Sequence, residues 1–463
     1  MKRSITWIQK ATGGQTVFVE DKDRMISSVS TDTRSLQQGA LYVPLVGDRF
    51  NGHQFLSQAI EAGAVVALWN ELEPIPEGFC DIPLIVVPDT LTALQQMAKK
   101  YREEIAIPVV GITGSNGKTT TKDLVAAVLG QVFRVHKTAG NLNNHIGVPL
   151  TLLSIPEETE IAIVEMGMNH VGEISLLSQL AMPQVAIVTN IGESHIAHFG
   201  SREGIADAKL EIIDGLSSNG TLIYDGDESL LAEKVRKIPQ TQIRIGWKEK
   251  NDEMPLDIEM LGTKGFTFQS KQTHHRYHLS LLGRHNIVNA CYAIAVGRFF
   301  HMSEEQIAQG LLHVGLTGMR LEMITAKNGM PIINDCYNAS PTSMKAAIRL
   351  LQEMEPTKEK WALLGDIREL GDEWEESYHR ELGAYVIEKG IHKLFTVGDR
   401  GKWIAEGAQE VRHDPSCEMI HFSSVEEAGK YIDKVGHPQA LMLVKASRAM
   451  KLDQVIRSLV EGA

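Results

Sequence analysis

Gly114, Ser115, Asn116, Gly117, Lys118, Thr119 and Thr120 form the heart of a run, GITGSNGKTTTK, whose residue types suit a polyphosphate. Glycines let a backbone approach anionic oxygens closely, and the free N–H groups that open a helix point at them. Lys118 adds a point charge, and the Thr119 hydroxyl is placed to ligate a phosphate-bound Mg²⁺. The spacing, Gly114-x-x-Gly117-Lys118-Thr119, is shorter than the usual G-x-x-x-x-G-K-[ST]. Its context is the expected one. The β-branched Val109, Val110 and Ile112 precede it, and a helical pattern with Leu124, Val125, Val128 and Leu129 on one face follows. Strand, turn, Lys-Thr and helix in that order predict a nucleoside triphosphate site.

Other reactive residues recur just past apolar runs. Glu165 ends IAIVE, where a Mg²⁺ ligand beside a phosphate-binding turn is expected. His195, in TNIGESHIAHFGS, is a candidate metal ligand or phosphate contact, ahead of its neighbour His198. Across REGIADAKLEIIDGL, Ile205, Ala208, Ile212, Ile213 and Leu216 make one helical face, and Lys209 falls inside it. On periodicity alone a snorkelling lysine is the simpler reading; a truly buried ammonium must pair, lose its proton or be chemically altered. Asn286 and Asn289, three apart at the start of an apolar helix, can read a base edge with paired amide groups. Arg320 in GLTGMRLE is suited to a γ-phosphate or acyl phosphate. Asp335, Asn338 and Pro341 lie in a turn that opens a helix, and Lys445, Ser447 and Arg448 follow the last apolar run.

The elements that must hold these groups alternate between strand and helix. Residues 1 to 105 carry short apolar runs, Ala40–Val43, Val65–Leu68 and Leu84–Val87, between helical stretches Phe55–Ala62 and Leu91–Arg102. Glu103–Pro108 reads as a linker, since Pro108 disfavours continuing the helix. From 106 to 317 the runs Val109–Thr113, Ile161–Glu165, Val185–Thr189 and Thr221–Tyr224 predict a parallel sheet buried on both faces. A third alternation occupies 318–463, with Ile332–Ile333, Trp361–Leu364, Leu394–Val397 and Leu441–Val444 as strands. The expected fold is α/β in three α/β domains: a substrate-binding domain, a central P-loop ATPase-type parallel sheet and a C-terminal Rossmann-like domain. Ligands of such sheets collect beyond the carboxyl ends of the strands, where the polar residues above stand.

Length and composition agree. A chain of 463 residues suggests about three domains. The formal net charge of −12 argues against a nucleic-acid-binding surface. Cys80, Cys291, Cys336 and Cys417 are scattered with no CxxC pair, as expected of reduced thiols in the cytoplasm. The N-terminal MKRSITWIQKATGG has no apolar h-region, and no apolar run approaches membrane-spanning length.

Taken together these motifs resemble the Mur ligase superfamily, and the resemblance covers nearly the whole chain. TGSNGKTT is similar to the family's shortened P-loop. GNLNNHIGVPLTLL, VEMGMNHVGEIS and TNIGESHIAHFGS resemble consecutive family blocks, as do HNIVNA, MRLE and INDCYNASPTSM. STDTRSLQQGALYVPLVGDRFNGHQF resembles the uridine-binding start of two of its branches. The resemblance implies that Lys118 holds the ATP phosphates, that Thr119 and Glu165 serve one Mg²⁺ and His195 a second, and that Lys209 is carbamylated into an anionic metal ligand. It further implies adenine contacts from Asn286 and Asn289, Arg320 near the γ-phosphate and Asp335 near the ribose. Thr33, Arg34, Asn141 and Asn144 would bind the UDP-linked substrate. Asn338, Pro341 and Arg448 would lie near the incoming dipeptide. Three residues depart from the family pattern. Asn51 stands in Asn51-Gly52-His53 where aspartate is usual, Ser340 where asparagine is usual, and Ala446 where glycine is usual. The last two are expected to alter dipeptide preference and to leave the ATP machinery untouched.

The activity so implied is ATP-dependent amide formation in peptidoglycan precursor synthesis. D-alanyl-D-alanine is joined to UDP-N-acetylmuramoyl-tripeptide through an acyl phosphate by a cytoplasmic monomer. Related carboxylate–amine ligases with another acceptor share the ATP site, but the uridine-like block and DCYNASP weigh against them. A nucleotide-gated switch would hydrolyse ATP without regard to a carboxylate. A P-loop kinase would leave a stable phosphorylated acceptor.

Overall fold

A computed structural model describes the chain except for residues 19–20, 22, 48–49, 78, 80, 195, 316–317, 413–416 and 462–463. By its internal contacts the chain divides into two compact units. The first comprises Met1–Thr113, Val132–Ile187 and Leu210–Leu222; the second comprises Gly114–Gln131, Val188–Lys209 and Ile223–Ala463.

The first unit opens with a five-stranded sheet in the order Gln15–Val17, Leu84–Val87, Ala64–Asn70, Ala40–Tyr42, Ser28–Ser30. Its pairs are parallel except for the antiparallel edge strand Gln15–Val17. Helix Thr90–Ile105 follows. Asp89 caps its start by accepting from Thr92 N at 2.7 Å, and Ala106 ends it in the left-handed region. The helix therefore takes in Glu103–Ile105, half of the expected linker, and beyond its cap only Ile107 and Pro108 precede the next sheet. Arg102 on this helix is buried and donates to Ala181 O at 2.8 Å, so its charge is satisfied by a carbonyl rather than by water.

That next sheet has six strands in the order Val135–Lys137, Ile161–Glu165, Val109–Thr113, Val185–Val188, Thr221–Asp225, Thr241–Ile245. The unit boundary falls within the fourth and fifth of these strands. Val109–Thr113 and Ile161–Glu165 are buried along their whole length, as continuous β-branched runs require of a parallel sheet covered on both faces. Their register sets Glu165 opposite Ile112, two residues before the glycine turn begins.

In the second unit, helix His285–Phe299 packs against helix Lys118–Leu129, the helix that leaves the turn. A three-stranded antiparallel sheet, Pro255–Met260, Phe266–Ser270 and Arg276–Leu279, lies between the central strands and that helix in sequence. The runs expected to make the central sheet do share one sheet, and this antiparallel sheet is an addition that the apolar runs did not foretell. These strands alternate buried and half-exposed residues, the pattern of an antiparallel sheet with one wet face. The last sheet runs Glu322–Thr325, Pro331–Asn334, Ala440–Lys445, Glu359–Gly365, Lys393–Val397, Glu418–Phe422. Only its Glu322–Thr325 edge is antiparallel. Trp361, Phe395 and Met442 fill the core on one face of it, and Leu394, Leu364 and Ile348 that on the other. The expected α/β architecture is borne out. Cys291, Cys336 and Cys417 are free and buried, and Cys80 lies outside the described residues. Among the described residues no helix is long and apolar enough to cross a membrane.

Candidate active site

The glycine turn leaves strand Val109–Thr113 and runs straight into helix Lys118–Leu129. Two of its positions admit only glycine. At Gly114 φ is 144° and a Cβ would overlap the Thr189 hydroxyl; at Gly117 φ is 83° and a Cβ would sit 2.8 Å from Asn289 Oδ1. The residues after strand Val185–Val188 hold the turn rigidly. Thr189 Oγ1 and Asn190 Nδ2 both donate to Asn116 O, at 2.6 and 3.0 Å. Asn116 N donates to Asn190 Oδ1 at 2.9 Å, and Ser115 Oγ accepts from Gly192 N at 2.8 Å. Tyr292, from the helix behind, donates to Thr189 O at 2.7 Å.

Positive charge converges on this turn. The Lys118 ammonium folds back over the loop, donating to Gly114 O at 2.8 Å and to Ser115 O at 3.4 Å. Lys209 is buried, at 2% exposure. Its burial, with repulsion from Lys118 as the second cause, pushes its amine well below the ordinary lysine range. The snorkelling alternative is therefore excluded. Arg320 Nη2 donates to Thr119 Oγ1 at 2.9 Å, and its guanidinium lies 4.0 Å from the centre of the Tyr337 ring. Two further donors, Asn116 Nδ2 and Arg320 Nε, are buried and have no acceptor among the described residues. A buried unsatisfied donor costs on the order of 1–3 kcal/mol, so the site as built calls for an anion.

Arg320 is held in place by strained backbone. Met319 and Leu321 on either side adopt φ of 63° and 49°, a left-handed conformation that costs side-chain-bearing residues about 1–3 kcal/mol each. Both are fixed by the turn after strand Pro331–Asn334. Met319 O accepts from Tyr337 N at 3.2 Å, and Leu321 N donates to Asp335 Oδ1 at 3.3 Å. Asp335 also pairs with buried Lys445 at 2.6 Å, and Lys445 Nζ donates to Asn338 O at 2.8 Å. Pro341 opens helix Pro341–Glu353, with Ser340 as its N-cap in a capping box with Ser343. Ser340 Oγ donates to Asn116 Oδ1 at 2.9 Å. Asn286 and Asn289 are both buried. Asn289 Nδ2 donates to Asn286 Oδ1 at 2.8 Å and Asn286 Nδ2 to Leu282 O at 2.7 Å, which aligns the amides while leaving Asn289 Oδ1 beside Gly117.

Three segments match family models: residues 25–102 the Mur ligase family catalytic domain, 112–297 the Mur ligase middle domain and 319–448 the Mur ligase glutamate ligase domain. The chain is 46% identical to the UDP-N-acetylmuramoyl-tripeptide–D-alanyl-D-alanine ligase of Bacillus subtilis, covering 100% of this chain and 99% of that one. The chain belongs to the Mur ligase family. The Escherichia coli ligase of the same name is 33% identical, over 96% of each chain. A crystal structure of MurF from Acinetobacter baumannii superposes with a TM-score of 0.89 at 32% identity, covering 100% and 99% of the two chains. The MurF ligase of Thermotoga maritima, solved in complex with ADP, gives 0.80 at 25% identity, covering 94% and 97%.

In this Mur ligase one expectation about the site is overturned. Ser340 was expected to leave the ATP machinery untouched, yet its hydroxyl bonds directly to Asn116 of the P-loop. A helix N-cap hydroxyl has spare hydrogen-bonding capacity, and this one spends it on the loop. Asn51 is engaged in contacts with its own turn and with Glu73. It accepts from His53 N at 3.0 Å and donates to Glu73 at 2.7 Å, while His53 packs edge-on against Trp69. Ala446 is buried against Gly365.

Glu165, Asn141, Asn144, Thr33 and Arg34, also expected site residues of this Mur ligase, lie in the first unit. Glu165 is 2% exposed and accepts from Asn143 Nδ2 at 2.9 Å. Asn143 was not singled out from sequence; its neighbour Asn144 instead caps the next helix, accepting from Gly147 N at 2.8 Å, and Asn141 is exposed. Arg34 is exposed and pairs with Asp32 at 2.7 Å, which draws the Asp32 carboxyl down to about 2; Thr33 between them is half-buried. In the second unit, Arg448 lies 3.6 Å from Asp453. His195 lies outside the described residues. The contacts of Tyr337 with Arg320 and of Ser340 with Asn116 are ones that sequence spacing missed, since neither residue type announces a contact with a guanidinium or a loop amide.

Proposed function

We propose that this Mur ligase is an ATP-dependent carboxylate–amine ligase that joins D-alanyl-D-alanine to UDP-N-acetylmuramoyl-tripeptide in the cytoplasm, forming ADP and phosphate. The observation that carries the reading is the pair of buried donors without acceptors among the described residues, Asn116 Nδ2 and Arg320 Nε, beside the Lys118 ammonium and the Gly114–Gly117 turn. Triphosphate oxygens satisfy such donors and offset the repulsion between Lys118 and Lys209. The name shared by relatives up to 46% identical over the full length supports the choice of substrates.

The terminal carboxylate of the tripeptide attacks the γ-phosphorus, the bond to the bridging oxygen breaks, and ADP leaves. The dipeptide amine then attacks the acyl carbon, loses its proton, and the tetrahedral adduct expels phosphate. The reacting groups are anionic, so the chief work of the protein is electrostatic. Lys118 exchanges its carbonyl partners for β- and γ-phosphate oxygens. Arg320, clamped by Tyr337, is aimed where charge gathers on the transferred phosphoryl group. Asn286 and Asn289 orient the adenine edge, and Asp335 is assigned to the ribose side. Mg²⁺, for which Thr119, Glu165 and His195 are the proposed ligands, supplies charge neutralisation across the phosphates when bound.

Lys209 completes the set. Burial, and then the charge of Lys118, disfavour the ammonium form of Lys209 and so favour the neutral amine that carbamate formation requires. The Nζ lone pair bonds to the carbon of CO₂ and one N–H proton leaves to water, converting the neutral amine into an anionic carbamate attracted to Lys118. Asn338, Pro341 and Arg448 are proposed for the dipeptide side, and Thr33, Arg34, Asn141 and Asn144 for the UDP-linked substrate.

The test is ADP release with ATP, D-alanyl-D-alanine and UDP-N-acetylmuramoyl-tripeptide, each omitted in turn. A ligase needs all three. Undiminished ADP release without either acceptor would identify a nucleotide-gated switch instead, and a stable phosphorylated acceptor would identify a kinase. Lys118→Ala should fall in turnover by about a hundredfold or more with its melting temperature unchanged, because the lysine acts through charge at the reacting end.

A further inference from the structure

We infer that Lys445 is a positioning residue for the ligation, its buried ion pair with Asp335 being the strut that keeps Arg320 aimed at the transferred phosphoryl group. The inference rests on the assignment of Arg320 to that group. An arginine is long and rotamer-rich, so its head is placed only as well as its backbone and its neighbours are held. The backbone here does not hold itself. Met319 and Leu321 both have left-handed φ, 63° and 49°, a conformation that residues with side chains keep only where outside contacts enforce it. The contacts that do so come from one turn, residues 335–338.

Strand register builds that turn. Asn334 lies opposite Val444, and Asp335 N donates to Val444 O at 3.0 Å, which carries the ladder one residue further. Asp335 is thereby set beside Lys445, the last residue of strand Ala440–Lys445. Lys445 is 2% exposed and reaches both ends of the turn: its Nζ lies 2.6 Å from Asp335 Oδ2 and donates to Asn338 O at 2.8 Å. With Oδ2 so held, Asp335 Oδ1 accepts from Leu321 N at 3.3 Å. Tyr337 N, inside the same turn, donates to Met319 O at 3.2 Å, and the Tyr337 ring carries the guanidinium. One lysine therefore braces the bonds that grip the backbone on either side of Arg320 and the ring beneath its head. Each Asp335 oxygen keeps a second lone pair, so the brace is compatible with a ribose contact. A buried ion pair is a poor source of net stability beside apolar side chains of similar volume, but its bonds are directional and fix a turn in one geometry.

The experiment compares steady-state turnover of the full-length protein, with all three substrates present, in wild type, Lys445→Met, Arg320→Ala and the double variant. Misplacing a reacting group by about 1 Å costs on the order of a hundredfold, so Lys445→Met should lower kcat by about tenfold to a hundredfold with little change in the KM for ATP. In the Arg320→Ala background the same substitution should cost nothing further in kcat, because the side chain it positions is gone. A merely structural lysine would instead lower the active fraction by the same factor in both backgrounds. Equal losses in the two backgrounds, or wild-type kcat in Lys445→Met, would overturn the strut. Lys445→Gln keeps an amide donor at the turn and replaces the methionine variant if that one does not fold; its loss of kcat should likewise vanish in the Arg320→Ala background. Failure of both variants to fold would assign the pair to stability and also overturn the proposal. Wild-type kcat in Arg320→Ala would sink the role of Arg320 itself, on which the strut depends.

Discussion

Arg320 Nη2 and Thr119 Oγ1 lie 2.9 Å apart although 201 residues separate them in the chain. The guanidinium thereby meets the hydroxyl proposed for Mg²⁺, and the backbone on both sides of Arg320 is held in a left-handed conformation. Strain retained on both flanks of a side chain marks it as a candidate for a functional role, the one proposed above for Arg320.

Tyr337 supplies the surface on which Arg320 rests. A cation–π contact partly withdrawn from water is worth about 1–2 kcal/mol, so Tyr337→Leu should lower kcat by about tenfold, whereas Tyr337→Phe should keep it near wild type. Arg320→Ala should cost on the order of a hundredfold in kcat, with a smaller change in the KM for ATP. Steady-state kinetics of the three variants decides the matter; equal kcat in Tyr337→Leu and wild type would remove the ring from the account.

Lys209→Ala should be inactive under ordinary conditions. Addition of acetate or formate should restore part of the activity by placing a carboxylate where the carbamate stood. An alanine variant with full activity, or one that no short carboxylate rescues, would contradict the carbamate assignment.

Ser340 is both a helix cap and a P-loop contact. Ser340→Ala loses both and should cost about 1 kcal/mol of stability while raising the KM for ATP. Ser340→Asn keeps a good cap, so its melting temperature should stay near wild type and its KM should report the contact with Asn116 alone. An unchanged KM in both variants would show that the bond to Asn116 does not matter to nucleotide binding.

Asp225, at the end of strand Thr221–Asp225, has its carboxyl pushed up to about 6, first by burial and then by the nearby Asp227 and Glu228. Because the folded value lies above the unfolded one, the folded state binds the extra proton. The stabilisation is therefore fully present below about pH 4 and is lost as pH rises through about 6. Asp225→Asn should remove this slope, raising stability relative to wild type by at most about 3 kcal/mol near pH 7.5 and by little near pH 4. Denaturant titrations at the two pH values measure it; an equal difference at both would show that Asp225 titrates as it does in the unfolded chain.

Much of this architecture is legible in the residues themselves. Val109–Thr113, Ile161–Glu165 and Leu84–Val87 begin and end where their apolar, largely β-branched runs do, because a buried strand of a parallel sheet reads as a continuous apolar run. Periodicity places Lys209 on the apolar face but favours a snorkelling side chain, and only the packed structure shows that the side chain is buried. The antiparallel strand Pro255–Met260 is not legible, since LDIEM alternates charges with apolar residues and carries no continuous run. Nor are the contacts of Ser340 with Asn116 and of Tyr337 with Arg320. The first joins positions 224 residues apart, and nothing local at either end favours the pairing. Asn143 shows the opposite limit: three asparagines in four residues are chemically alike, and only the backbone path decides which one reaches Glu165.

The central claim, that ATP at the glycine turn activates the tripeptide carboxylate, is tested most directly by oxygen transfer. UDP-N-acetylmuramoyl-tripeptide labelled with ¹⁸O in its terminal carboxylate is turned over with ATP and D-alanyl-D-alanine, and the inorganic phosphate is analysed by mass. Phosphorylation of the carboxylate predicts a single labelled oxygen in each phosphate released. Phosphate free of label, formed alongside the peptide product, would contradict it.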